Sequence, residues 1–488
     1  QGTGLDFARA APSPARGVTI EAVGSAGQSV LASAAVVASG QYSLSVPANT
    51  EMFVRMKAEL RRSGSPSWLV SVRDNTAGDA IYAIDTGAYN SGSAALRRDV
   101  HAGSGWTAGS GYTAPRAAAP ISILDAAWQA MQLVLGAESG ASFPELKVYW
   151  STRNVPCSKG AGGFCDGTSP ARTRGEIGTS FYATIGSQGP SIYVLGSADS
   201  DSDEFDQHVV AHEWGHYYQD NFSRDDSLGG PHSLSERLDL RVAFSEGWGN
   251  AFAGMVKGDP VYRDSFGTQQ RSDFAIDVEN STVSFPGWFN EASVQSIFYD
   301  LFDAASDGSD TVSLGFGPIH AAMRGPIRNS LGFTSVYALL HALRASQPAD
   351  AAAISALSTT QLIVTAPDDF GSGENNSGGD ARNLPIFPVM TSGATRQVCS
   401  SLPTGGSAAV YNKLGNRRFL RFSLAFSSTV SIVARNGRAG TDPDLVLYAA
   451  GIERGRAEGE TSGSETLTLP LPAGTYVAEI YEYSNISG

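Results

Sequence analysis

Over the first ~115 residues, apolar and polar positions alternate with a period of two, broken by turn residues. Segments 17–23, 29–32, 40–47 and 51–58 read as successive strands. Near Thr113–Pro120 the period changes. Residues 121–135 place Leu124, Ala127, Met131 and Val134 on one side of a helix. Segments 146–150 and 191–196 read as strands. Helical segments then dominate to about residue 363, at 204–220, 239–256, 291–303, 333–344 and 350–357. After about residue 395 strands return, at 418–426, 429–434, 445–449, 465–471 and 475–481. The pattern predicts three parts, β then α+β then β, with boundaries at 1–115, 116–392 and 393–488. Length agrees, since 488 residues at roughly 100–200 per domain make about three domains.

Composition narrows the classes of function. The formal charge is -14. That excludes nucleic acid and an anionic membrane surface as partners, because both need a basic footprint. No apolar run approaches the ~18–20 residues of a membrane-spanning helix. Cys157 and Cys165 flank a Gly-rich run and read as a small disulfide-closed loop, with two unrelated thiols as the alternative. Cys399 is left over, either a free thiol or one whose partner is missing from the chain. The chain begins at Gln1 and reads as processed or truncated. Together with the architecture, the Cys pair points to a secreted protein.

The chemistry is concentrated in one segment, Asp206-Gln207-His208-Val209-Val210-Ala211-His212-Glu213-Trp214-Gly215-His216. It contains HExxH. Residues four apart share a helix face, so His212 and His216 can both aim an imidazole at one Zn²⁺. Glu213 then faces a metal-bound water without ligating the metal, as a general base. His208 cannot join as a third ligand. It lies about 12 Å along the axis from His216 at 1.5 Å per residue. It reads as a packing or supporting residue. Asp201, Asp203, Glu204 and Asp206 precede the helix, where negative charge suits its dipole. Glu246 is a lone acid in the otherwise apolar helix Val242–Phe252. A buried unpaired carboxylate costs several kcal/mol, so it needs a metal or a partner. Glu246 is therefore the candidate third ligand, ahead of Asp239, Glu236, Asp220 and Asp225. Asn250, one turn on, is placed to orient a ligating group.

The words His212-Glu213-Trp214-Gly215-His216-Tyr217 and Ala243-Phe244-Ser245-Glu246-Gly247-Trp248 resemble the gluzincins, the thermolysin-like zinc peptidases. The resemblance spans roughly residues 117–390 and is similar to uncharacterised secreted bacterial members. It implies a zincin-type α+β domain with a zinc-dependent peptidase activity. It also implies that Ser191–Gly196, with Tyr193, Val194 and Leu195, is an edge strand that pairs with an extended peptide; an internal strand is the alternative. The first strands resemble a carboxypeptidase regulatory-like β-sandwich. Leu471-Pro472-Ala473-Gly474-Thr475-Tyr476-Val477 is similar to the bacterial pre-peptidase C-terminal β-sandwich.

The resemblance has gaps. Thirty residues separate His216 from Glu246, longer than in thermolysin, so an extra loop at about 221–238 lies between the helices. His232 sits in that loop and reads as a rim residue or simply exposed. The family's downstream oxyanion-donor His is missing from Trp288–Tyr299; Tyr299 and His320 are the candidates. The loop Asp368–Asn376 is oxygen-rich enough for Ca²⁺ but lacks a known calcium-loop spacing, which favours a plain polar loop. The reading is a secreted zinc metalloendopeptidase acting on peptide or protein substrates. The rivals are a non-catalytic binding protein with structural zinc, and a zinc hydrolase of non-peptide amides or esters. Oligomeric state is not legible.

Overall fold

The computed structural model describes residues 6, 10–156, 158–159, 163–164, 169–280, 283–304, 311–402, 411–460 and 463–486. The chain divides into two units, residues 1–217 with 252–277, and residues 218–251 with 278–488.

The first unit is built on a mixed sheet. Its main strands are β1 (Val18–Gly24), β2 (Val30–Ala35), β3 (Glu51–Arg62), β4 (Trp68–Asp74), β5 (Leu146–Trp150), β6 (Phe181–Ile185) and β7 (Gly189–Val194). Their order is β6-β7-β5-β4-β3-β1-β2. β1 to β4 pair antiparallel, but β5 runs parallel to both β4 and β7. A parallel pair needs a long crossover. Helix α1 (Ala119–Ala137) lies in that connection and packs on β3 and β4. Its stripe of Ile123, Leu124, Ala127, Ala130, Met131 and Val134 is buried, and Pro120 sits in its first turn, where a missing N–H costs nothing.

Three expectations change here. The sheet does not stop near residue 115, because Val70–Arg73 pair with Leu146–Tyr149. Bringing β5 against β4 removes an edge that a free-standing sandwich would expose. Residues 41–47 form no strand, although Tyr42, Leu44 and Val46 are half-buried and the residues between them exposed. Alternation there reports a covered face without a ladder partner. Finally, Tyr193, Val194 and Leu195 do not form a free edge. β7 is paired with β5 on one side and β6 on the other, and all three residues are buried. The end strand is β6.

The same unit holds a four-stranded antiparallel sheet: β8 (Gly196–Ser197), β9 (Asp201–Ser202), β10 (Val261–Phe266) and β11 (Ser272–Asp277). The chain leaves this unit within helix α2 (Gln207–Phe222) and returns within α3 (Leu240–Lys257).

The second unit contains helices α4 (Glu291–Phe302), α5 (Phe316–Ala322), α6 (Val336–Ser346) and α7 (Ala351–Thr360). Six strands follow: β12 (Arg417–Leu424), β13 (Ser428–Arg435), β14 (Pro443–Ala449), β15 (Ile452–Ala457), β16 (Ser464–Leu471) and β17 (Gly474–Glu482). They form a sheet β12-β17-β14-β15 and a pair β13-β16. Leu420, Ala434, Leu445, Leu447, Leu471, Tyr476 and Ala478 make their common core. β15 escapes sequence reading because Ile452-Glu453-Arg454-Gly455-Arg456-Ala457 has no apolar alternation. A buried ionic chain ties α3 to β17. Arg241 Nε and Nη2 donate to Asp239 at 2.9 and 3.0 Å, and Nη1 donates to Glu479 at 2.9 Å. Arg417 pairs with the other oxygen of Glu479. Among the described residues no helix is long and apolar enough to cross a membrane.

Candidate metal centre

Helix α2 is apolar around most of its circumference. Val209, Val210, Ala211, Trp214, Tyr217 and Tyr218 are all buried. Trp214 stacks on Phe252 at 5.6 Å, and the Tyr217 hydroxyl donates to the Pro144 carbonyl at 2.7 Å. This packing fixes the rotation of the helix, and so the direction of its polar residues. Nε2 of His212 and Nε2 of His216 lie 3.0 Å apart. Among the described residues, one ligand atom each from His212, His216 and Glu246 lies within 4.8 Å of the others. Zinc bonds of about 2.1 Å place tetrahedral ligands roughly 3.4 Å apart. The donor set is two imidazoles and a carboxylate, the set zinc takes when a fourth position stays open. The residues present therefore fit the metal. Glu213 is 8% exposed and forms no hydrogen bond or ion pair among the described residues.

Sequence reading missed one member of the neighbourhood. His232 is not simply an exposed loop residue. Its Nδ1 lies 2.7 Å from Glu291 and its Nε2 lies 3.3 Å from Glu246. Glu291 is the first residue of α4 and is 2% exposed. Asn290 caps that helix by accepting from the N–H groups of Ala292 and Ser293. The Asn290 side-chain amide also donates to the carbonyls of Leu234 and Glu236, tying α4 to the loop. Gly247 makes the close approach feasible. A Cβ there would lie 2.6 Å from Val294 Cβ and 2.8 Å from the Glu291 carbonyl. The loop is fastened from the other side as well. Asn412 donates to the carbonyls of Gly229 and Pro231, and Lys413 Nζ to Pro231 at 2.7 Å. The available signal was the pairing of an inserted His with the acid that opens α4. Spacing alone could not join residues fifty-nine apart.

The remaining predicted residues fall elsewhere. His208 is buried, with Nε2 3.3 Å from the Asp259 carbonyl, and burial pushes its pKa down to about 4. Asn250 donates to Gln295 at 2.9 Å. His320 is not one of the three residues whose ligand atoms converge. It lies within α5, its Nδ1 2.7 Å from the Tyr218 hydroxyl, with the Phe316 ring beside it. Tyr299 is buried in α4, against Phe302. The Asp368–Asn376 loop satisfies its own carboxylates. Asp368 accepts from the N–H groups of Phe370 and Ser372, and Glu374 from those of Asn375 and Asn376. With Arg421 also on Asp368, these oxygens are not arranged for a cation. Asp203, Glu204 and Asp206 do not decorate the surface of a helix start. They are buried, and Glu204 pairs with Arg116. Cys399 is a free thiol. Cys157 and Cys165 lie outside the described residues; the segments between them, Ser158–Lys159 and Gly163–Phe164, pair antiparallel.

Residues 177–324 match the family model described as the Mycolysin C-terminal domain. That span includes His212, Glu213, His216, His232, Glu246 and Glu291. Among solved structures, the chain is similar to the precursor of protealysin, a metalloproteinase from Serratia proteamaculans. The identity is 9%, the cover 49% of this chain and 69% of that one, and the TM-score 0.26, a likeness too slight to describe the fold. No curated protein matches.

Proposed function

We propose that this chain is a secreted zinc metalloendopeptidase. The observation that carries the reading is the convergence of His212, His216 and Glu246 beside the buried Glu213. The gluzincin resemblance supports it, and so does the Mycolysin C-terminal match over the same segment. Secretion rests on composition and the Cys157–Cys165 spacing.

His212, His216 and Glu246 would hold zinc, which when bound acidifies a water and polarises a carbonyl. Glu213 follows His212 directly and takes the proton of the attacking water, then delivers it to the leaving amine. His232 replaces Tyr299 and His320 as the donor to the developing oxyanion. Its ring lies between Glu246 and Glu291, with Nδ1 on Glu291 and Nε2 on the Glu246 side. Glu291 is a positioning residue that holds the ring. The extended substrate would pair with β6 instead of β7, since β6 ends the sheet. Tyr182 of β6 packs on Tyr217 of α2 at 6.1 Å, which puts this strand beside the helix that carries the histidines.

The test is Glu213→Gln, with zinc content and peptide cleavage measured together. The expected result is about one zinc per chain retained and cleavage reduced about 10²–10⁴-fold. A wild type that holds zinc yet cleaves nothing in a broad peptide library would make the chain a binding protein. Cleavage of only non-peptide amides or esters would move it to another hydrolase class.

A further inference from the structure

A cavity of about 790 Å³ opens in the first unit, within the roughly 300–1,000 Å³ range of small-molecule sites. Part of its wall is apolar: Ile20 of β1, Val36 just after β2, Met56 of β3 and Phe205 ahead of α2. Another part is polar and comes from α1. Ser122, Asp125 and Gln129 recur every three or four residues, so they share one face of that helix. Gln207, which opens α2, and Lys257, which closes α3, join them.

A hydrogen-bond chain runs along the polar wall. Arg16 donates to the two oxygens of Asp125 at 2.7 and 2.6 Å. Gln129 Nε2 donates to Asp125 at 3.0 Å. Lys257 Nζ donates to Gln129 Oε1 at 3.0 Å and to Gln207 Oε1. Gln207 Nε2 donates to Ser122 at 3.4 Å. The charge along this chain is unbalanced at Lys257. An ammonium has three N–H donors, and two of them reach neutral amide oxygens. Lys257 forms no ion pair among the described residues. Asp125 is held by Arg16, and Asp259, two residues on from Lys257, by Arg263 at 2.6 Å. The other acids on the cavity wall are engaged too, Asp99 by Arg97 at 3.1 Å and Asp6 by a contact of its own. The end of α3 supplies only partial negative charge. Burial outweighs the nearby carboxylates and lowers the Lys257 pKa. A buried cation without a counter-ion is costly, and an anion in the cavity would remove that cost.

We propose that this cavity binds a monocarboxylate with an apolar body, its carboxylate on Lys257 Nζ and its body against Ile20, Val36 and Met56. One uncompensated ammonium suits a single negative charge and not a phosphate dianion. The apolar wall favours hydrocarbon beyond the carboxylate. A medium-chain fatty acid and the C-terminal carboxylate of a short apolar peptide share that chemistry. None of His212, Glu213, His216 and Glu246 lines the cavity, so a ligand here is distinct from a peptide at the candidate metal centre.

The experiment uses the full chain at constant free zinc, near pH 7 where carboxylates are charged. Decanoate and acetyl-dileucine are titrated by calorimetry beside their uncharged counterparts, decanol and acetyl-dileucine amide. Wild type should bind one equivalent of at least one acid, at least about tenfold tighter than its uncharged counterpart. The acid that binds names the source. Lys257→Met, which keeps the length of the side chain and removes its charge, should abolish that preference. Lys257→Arg should keep it. Without ligand, Lys257→Met should melt at or above the wild-type temperature, because an uncompensated charge is gone. If Lys257→Met fails to fold, Val100→Trp, which adds bulk on the same cavity wall, should abolish binding of both acids. No binding of either acid by wild type, or no preference over the uncharged counterparts, overturns the proposal. A lower melting point in Lys257→Met with the preference unchanged also overturns it, and leaves Lys257 a tie between Gln129 and Gln207.

Discussion

Each unit buries a cluster of charge, and the two clusters are built on opposite plans. In the second unit Asp239, Arg241, Glu479 and Arg417 alternate in sign along α3, β17 and β12. Burial alone would push Glu479 up, but Arg241 and Arg417 outweigh it and hold its carboxyl below the usual range. In the first unit Asp201, Asp203, Asp206 and Asp264 share one sign; burial raises all four, and the charge of neighbouring acids raises Asp203, Asp206 and Asp264 further. The first arrangement is complete within the protein. The second holds no ion pair among the described residues.

The comparison can be broken most directly at Glu479. Glu479→Ala leaves Arg241 and Arg417 buried without their shared partner. It should cost about 3–5 kcal/mol in denaturant unfolding. A cost under about 1 kcal/mol would show that the network is solvated. Next comes pH. A carboxylate raised in the folded state binds more protons folded than unfolded, so stability falls as pH rises between its two pKa values. For Asp264 that window runs from about 4 to about 7. The chain should lose up to about 4 kcal/mol across it. A slope of the opposite sign would refute the like-charge reading. The third prediction concerns the loop. His232→Ala should keep zinc and lower kcat about 10²–10³-fold with little change in KM. A loss confined to KM would make His232 a substrate-binding group. Glu291→Gln, which weakens the hold on the ring without removing it, should cost less.

Much of this was legible in residues 204–256. HExxH places two imidazoles by helical period alone, and a lone Glu in an apolar helix declares its need for a partner. The helices expected at 121–135, 239–256 and 291–303 and all five expected C-terminal strands lie within about two residues of their observed ends, because period is a local property. The helices expected at 204–220, 333–344 and 350–357 each miss one end by about three residues; the second starts at Val336, where Ser335 caps it. What was not legible depends on pairing. Ser191–Gly196 reads the same as an edge or an internal strand, since both faces of β7 are buried either way. The imidazole beside Glu246 comes from the loop before α3, upstream of both Tyr299 and His320.

By itself, then, the sequence marked most of the elements, the candidate metal donors at 212, 216 and 246, and the candidate base at 213. Each of those follows from spacing within one helix or from the cost of one buried charge. Tertiary structure alone decided that β5 joins β4, that Glu291 reaches His232, and that Asp201, Asp203 and Asp264 gather. Those contacts join segments up to some seventy-five residues apart, and what selects them is which surfaces must be buried together.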